Sequence, residues 1–353
     1  MWRMKNAPPL RTPPKLQPGD QVGVVSPSWA GAGVFPQVHE IGVGVIRDVL
    51  GLVPVEFPTT RQVGASPQER ANDVNAAFAD PHIKALMAVI GGSDQITVLP
   101  HLDADIITAN PKAFFGYSDN INMLNYLWNL GIVGYHGGST LVHFARPGGV
   151  HPAFMTSLRH ALFDRELVEI KPVTEFTDLQ PEWEDLSTLT NPLATMSEPG
   201  WNWHNATRIV TGPTWGGNLE ILHWNLAANR WIRPNEHYHG CVLILETSEE
   251  MPSADEVFRM LRNFGERGLL AQFPAVVFAK AKAWHPHNRL DEEGRSAFRA
   301  EQELAVLRVF EIYNPQAMVV YGPDFGHTDP QYVLPFGGLM TIDGPAQRIK
   351  VQY

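Results

Sequence analysis

The stretch "AFFGYSDNINMLNYLWNLG", residues 113–131, decides how this chain folds. Ala113, Phe114 and Phe115 read as the end of a buried strand, whereas Met123, Leu124, Leu127 and Leu130 recur at helical spacing. The period changes at Gly116-Tyr117-Ser118-Asp119, so Ser118 sits at a strand-to-helix turn. The first turn of a helix has backbone N–H groups without internal partners, and such a turn holds a side-chain oxygen above the sheet edge. A nucleophilic serine is useful in that place.

Working outward, the same alternation repeats. "QVGVVSPS" is a short β-branched run ending in turn residues, and "EIGVGVIRDVLG" continues with a helical pattern that stops at Gly51. "SPQERANDVNAAFAD" predicts a helix with Ser66 at its cap and Glu69 in the capping-box position. "IKALMAVIGG" reads as a buried strand closed by Gly91-Gly92, and "IVGYHGGS" as a further short strand. Strands alternating with helices imply a parallel sheet covered on both faces, with ligands at the carboxyl ends of the strands. The expected fold class is therefore α/β in two domains: an N-terminal doubly wound, mostly parallel, flavodoxin-like sheet and a smaller C-terminal mixed α/β domain.

The boundaries follow from loss of period. Residues 1–170 form the first domain, and 171–205, rich in Pro, Thr, Glu and Trp, form a long connecting segment. Long irregular segments in compact proteins often act as lids or binding loops, with a plain linker as the alternative. Residues 206–353 form the second domain, with the strand "CVLILET", the helix "SADEVFRMLRNFGERG" and a terminal pair of strands turning at Asp343-Gly344.

Bulk properties exclude several classes. With 353 residues, 44% of them hydrophobic, the chain is long enough for two cores. A formal charge of -10 argues against binding nucleic acid polymers, whose phosphates require a basic surface. The one cysteine, Cys241, lies in the apolar run "CVLILE" and reads as a small buried hydrophobe. No segment has the apolar length of a membrane span, and the opening "MWRMKNAPPLRTPPKLQPGD" lacks the apolar core of a secretory signal, so the cytoplasm is expected.

A serine hydroxyl needs a base to become nucleophilic. Of 14 histidines, His101 and His160 fall in helical runs, while His237/His239 and His285/His287 lie in polar loops. His327 stands in "YGPDFGHTDPQYVLPFGG", at a strand end between glycines, as either a base or a turn residue. Glu246 closes the strand "CVLILE" and would orient such a base or cap the next helix, a role open equally to Glu249 and Glu250. Gly91-Gly92 is a tight turn or a place where backbone N–H groups approach an oxyanion, with the N–H of Asp119 as second donor. "GGNL" at 216–219 lacks the Lys-Ser/Thr of a phosphate loop, and the His-x-His pairs lack a third ligand for zinc.

"NPKAFFGYSD", "VIGGSDQITVLPHLD", "GPTWGGNLEIL", "LILETSEEMPSADEVFRMLRNF" and "GHTDPQYVLPFGGLMTID", in this order, resemble the LD-carboxypeptidase family, including its branch of microcin C immunity proteins. The resemblance implies a nucleophile Ser118, an orienting Glu246 and a base His327, with the site between the domains. It implies backbone oxyanion donors at Gly91, Gly92 and Asp119, a homodimer, and no metal or cofactor. The long 171–205 segment, with Trp183, Trp201 and Trp203, is more similar to the microcin branch. It implies an aromatic-lined pocket for a peptidyl or aminoacyl-nucleotide, unless these indoles only pack the loop down. The alternatives are a carboxypeptidase for cell-wall tetrapeptides and a binding protein without turnover.

Overall fold

The computed structural model describes residues 9–353, so the first eight residues of the basic opening lie outside the described chain. In chain order the strands are β1 (Gln21–Val25), β2 (Val53–Glu56), β3 (Ile83–Ala88), β4 (Ala113–Gly116), β5 (Gly134–His136), β6 (Leu167–Ile170), β7 (Glu175–Phe176) and β8 (Met196–Ser197). They continue with β9 (Asn202–His204), β10 (Ile209–Asn218), β11 (Val242–Glu246), β12 (Ala275–Phe278), β13 (Met318–Tyr321), β14 (Leu334–Phe336), β15 (Leu339–Asp343) and β16 (Arg348–Gln352).

The first sheet has the order β14-β5-β4-β3-β1-β2, and its five N-terminal strands are parallel. Reading β2-β1-β3-β4-β5, this is the flavodoxin-like order, in which ligands sit where the winding reverses beside β1 and β3. Burial explains the composition: all four residues of β4 are buried, and β3 exposes only Lys84. The helix Pro67–Ala79 begins at the Ser66–Glu69 capping box, both halves of which form.

The second sheet has the order β6-β16-β15-β10-β11-β12-β13-β9, with a parallel centre from β10 to β13 and antiparallel strands on each side. β11 is buried throughout, Glu246 included. The glycines of "GGNL" belong to the end of β10, and the helix Leu219–Ala227 starts after them, capped by Asn218.

Two strands cross the boundaries read from sequence. β6, which ends at residue 170, pairs with β16 of the second sheet, and β14, deep in the C-terminal part, pairs antiparallel with β5 of the first. Pro335 explains the edge position of β14, because a residue without an N–H fits only where one side of the ladder is unpaired. The chain on either side of His327 thus runs from β13 in one sheet to β14 in the other.

Side chains also join the layers. Trp215 on β10 donates its indole N–H to Asn125 Oδ1 at 3.0 Å, and Asn225 donates to Asn122 Oδ1 at 2.9 Å, both acceptors lying on the helix that follows Ser118. Gly217 lies against the same helix: a methyl group there would stand 2.2 Å from Ile121 Cδ1, and its φ of +101° is one that side chains resist. Gly217→Ala is expected to destabilise the fold by about 1–3 kcal/mol, by pushing Ile121 and straining the backbone. Urea unfolding measures this, and an unchanged midpoint would show that the two layers are not closely coupled here.

Candidate active site

Ser118 lies where β4 gives way to the helix Ile121–Asn129. Its φ is +59°, a left-handed conformation costly for a residue with a Cβ and stored only where the surroundings enforce it. The neighbour Asp119 supplies the enforcement. Fully buried, its carboxylate accepts from Gln95 N at 2.9 Å, from Asn122 Nδ2 at 2.9 Å, and from the hydroxyl of Ser28. Burial pushes the Asp119 carboxyl up, against these hydrogen bonds. Gln95 also donates to Asn120 Oδ1 at 2.8 Å, so the loop after β3 is laced to the Ser118 turn.

That lacing brings Gly91 against Ser118. A methyl group on Gly91 would stand 3.0 Å from Ser118 Oγ and 3.4 Å from Asp119 N, so only glycine lets the loop approach the hydroxyl this closely. The backbone of Gly91 and Asp119 therefore comes together beside the Ser118 hydroxyl, and Gly92 lines the same cleft. Such a convergence is what stabilises charge developing on an oxygen next to a nucleophile.

From the second sheet, Glu246 ends β11 and His327 follows β13. His327 Nδ1 lies 2.5 Å from Glu246 Oε2, with the carboxylate wholly buried. The other carboxylate oxygen faces His136 Nε2 of β5 at 3.9 Å. Burial disfavours the charged Glu246, but the imidazoles of His327 and His136 overcome it and hold its carboxyl down at about 2. Burial likewise opposes the imidazolium of His327, and the Glu246 and Glu249 carboxylates reverse this, raising it to about 8. The Tyr117 ring packs 4.9 Å from the His327 ring and limits its movement.

Ser118, Gly91, Gly92 and His327 line one cleft of about 880 Å³, and Glu246 supports His327 from behind. His327 Nε2 faces Glu249 Oε2 at 3.2 Å. Glu249 is thus a cleft residue, and the capping role open to it in the sequence belongs to Ser253, whose hydroxyl and Glu256 close a capping box. The pattern Ser253-x-x-Glu256 was the signal that separates the two.

Of the three tryptophans assigned to substrate, Trp183 lines the cleft. It meets Phe35 edge-on at 5.2 Å, and Phe35 meets Trp29 at 6.0 Å, giving an aromatic wall. Trp201 and Trp203 do not line it. Trp201 is 9% exposed and its indole N–H reaches Asp324 Oδ2 at 3.4 Å, while Trp203 lies in β9, paired with Val320 of β13. Both indoles pack at the edge of the second sheet, which corrects their assignment to the pocket. The sequence reading missed Trp29, although it follows β1 at the ligand-bearing end of the sheet.

The 171–205 segment is held by charge and by strand pairing. Phe176 lies under Lys280 at 4.0 Å and Arg299 at 4.9 Å, and Thr177 and Asp329 exchange backbone hydrogen bonds of 2.7 and 3.0 Å. Burial pushes the Cys241 thiol up to about 12, in keeping with a packing role. Among the described residues His160, Asp164 and Glu166 come close enough together to share a cation, and none of the three lines the cleft. No helix among the described residues is long and apolar enough to cross a membrane.

Residues 22–137 match the LD-carboxypeptidase N-terminal domain and residues 211–342 the LD-carboxypeptidase C-terminal domain. A putative carboxypeptidase of Streptomyces coelicolor is 33% identical, covering 96% of this chain and 97% of its own. The chain belongs to the LD-carboxypeptidase family. A probable murein peptide carboxypeptidase of Bacillus subtilis is 30% identical over 95% of this chain and 92% of its own. The microcin C7 self-immunity protein MccF of Escherichia coli is 26% identical over 80% of this chain and 78% of its own. A solved structure of MccF in complex with glutamyl sulfamoyl guanosine has the same two-domain α/β fold, with a TM-score of 0.82 at 22% identity, over 97% of this chain and 98% of that one. As a member of a peptidase family, the chain carries its candidate residues in the cleft between the two matched regions.

The Asp119 anchor gives a direct test. Asp119→Asn replaces one acceptor oxygen by a donor that must face another donor, so folding stability is expected to fall by about 1–3 kcal/mol. Chemical denaturation checks it, and a variant as stable as the parent would mean that the carboxylate does not hold the Ser118 turn.

Proposed function

We propose that this chain is a serine-type carboxypeptidase or amidase that hydrolyses the amide of an aminoacyl- or peptidyl-nucleotide of the microcin C kind. Supporting this most is the placement of Ser118, in a strained left-handed turn, on the same cleft as a histidine backed by a buried carboxylate. Ser118 Oγ attacks the scissile carbonyl carbon, and His327 Nε2 takes its proton as the C–O bond forms. Glu246 holds the ring through Nδ1 and stabilises the imidazolium. The N–H groups of Gly91 or Gly92 and of Asp119 donate to the oxyanion. His327 then gives the proton to the leaving nitrogen, and water repeats the sequence on the acyl-serine, regenerating the hydroxyl.

The aromatic wall of Trp29, Phe35 and Trp183 supports a flat nucleobase in the cleft. A second reading, hydrolysis of the bond between L- and D-centres in a cell-wall tetrapeptide, is favoured by the 30% identity to a probable murein peptide carboxypeptidase. A binding protein without turnover has no use for a strained serine beside a paired histidine. The reading includes a homodimer in the cytoplasm, and sedimentation of the purified chain tests the assembly.

Ser118→Ala is expected to lower kcat by roughly 10⁴–10⁶-fold while substrate binding persists, because nucleophile and base act as a unit. Turnover by a mass-verified variant at the parental rate would end the serine mechanism. His327 must be neutral to accept a proton, so activity is lost as pH falls. The carboxylates beside it place the midpoint of this acid limb in kcat/KM near the raised value of about 8. An unperturbed imidazole would put it about 6.5, and a limb there would show that Glu246 does not charge-pair with the working base.

Trp183→Ala tests the nucleotide. Stacking on an indole contributes roughly 1–3 kcal/mol per base, so KM for an aminoacyl-sulfamoyl-adenosine should rise about 5- to 150-fold. The constants for a cell-wall tetrapeptide should change far less. Equal losses on both substrates, with a lowered melting temperature, would make Trp183 a packing residue.

A further inference from the structure

Glu249 has no part in the mechanism above, yet it stands at its centre. Its side chain keeps 44% of its surface open to the cleft, and Oε2 makes a charge contact of 3.2 Å with His327 Nε2. That oxygen is itself enclosed and receives no aligned hydrogen bond. A carboxylate oxygen without a donor, on the wall of a substrate cleft, is an acceptor waiting for one.

The cations of the cleft are already engaged. Arg70 forms a two-point pair with Asp94 at 2.9 and 2.8 Å, and Arg146 binds Asp329 Oδ2 at 2.6 Å. Lys282 stands on the same wall as Glu249, and its ammonium donates to Gln180 Oε1 at 3.3 Å. The His327 imidazolium and Lys282 both favour the ionised Glu249, overcoming the burial that opposes it. The negative charge is therefore present; the carboxylate meets its own backbone N–H, and Oε2 receives no hydrogen bond.

Position decides the ligand. Nε2 of His327 is the nitrogen that must face Ser118 Oγ, so a group bound by Glu249 lies close to the scissile carbonyl. The α-ammonium of an aminoacyl group is two bonds from its carbonyl carbon. We propose that Glu249 accepts the free α-ammonium of the residue whose carbonyl Ser118 attacks, and that this ammonium draws the carboxylate off His327 Nε2. In the empty cleft Glu249 occupies the base, and the substrate's own amine releases it. The site then selects aminoacyl amides over peptidyl amides, in which that nitrogen is acylated and neutral. This rests on the serine-hydrolase reading and narrows its substrate.

The test uses the full chain and Glu249→Gln, which preserves size, with alanyl-sulfamoyl-adenosine and its N-acetyl form as matched substrates. The parent is expected to favour the free amine at least about tenfold in kcat/KM, the scale of a charge-assisted hydrogen bond. In Glu249→Gln that preference should fall below about threefold, through a raised KM for the free amine. A fluorophosphonate, which carries no amine, should label Ser118 faster in Glu249→Gln, because His327 is no longer occupied. A preference that survives the substitution, or a parent that favours the N-acetyl form, overturns the assignment to Glu249. Slower labelling of the variant overturns the release of His327. A parent that neither labels nor turns over either substrate overturns the serine-hydrolase reading itself, and so is distinguishable from a failure of Glu249 alone.

Discussion

Burying the carboxylate of Glu246 is the constraint on which the rest of the structure depends. An unpaired ion in that position would cost several kcal/mol, so the fold must bring it positive charge and hydrogen bonds. His327 supplies them from the loop between β13 and β14, at 2.5 Å, and His136 approaches from β5 of the other sheet at 3.9 Å. One carboxylate therefore fixes where a loop crosses and how the edges of two sheets face each other. Because His136 adjoins β4, whose end carries Ser118, the same constraint draws the serine and the histidine to one cleft.

The first sheet meets this from its own side. Its flavodoxin-like order leaves the loops after β1 and β3 next to the β4 turn, and a buried aspartate, Asp119, ties them down with hydrogen bonds to both. The resulting turn stores strain at Ser118 and sets the Asp119 backbone beside Gly91. Each sheet thus brings one buried acid: Asp119 holds the Ser118 turn, and Glu246 pairs with His327.

Much of this was legible because local chemistry determined it. The switch of period around Ser118 announced the strand, the turn and the helix, and the Ser66–Glu69 cap formed as its spacing predicts. Glu246 stood out as an acid closing an apolar strand, and the order of motifs gave it His327 as a partner. What escaped was decided by contacts far apart in sequence. β14 has three residues and no period, and its partner β5 lies some two hundred positions earlier, so it read as part of a local strand pair. Trp201 and Trp203 sit in an aperiodic stretch where nothing local marks β9, and pairing with β13 carries them away from the cleft. Trp29 and Glu249 were missed because a loop side chain's direction depends on what packs around it. For Glu249 the downstream capping box showed that the helix already had its cap.

The central claim is that Ser118 attacks, that His327 serves it, and that the backbone of Gly91, Gly92 and Asp119 receives the oxyanion. A crystal structure of the chain after reaction with a serine-directed phosphonate tests all three at once. Phosphorus is expected on Ser118 Oγ, with His327 Nε2 turned toward that oxygen and the phosphonyl oxygen about 2.7–3.1 Å from the N–H of Asp119 and of Gly91 or Gly92. An adduct on another residue, or one on Ser118 with its phosphonyl oxygen turned to solvent, would contradict it.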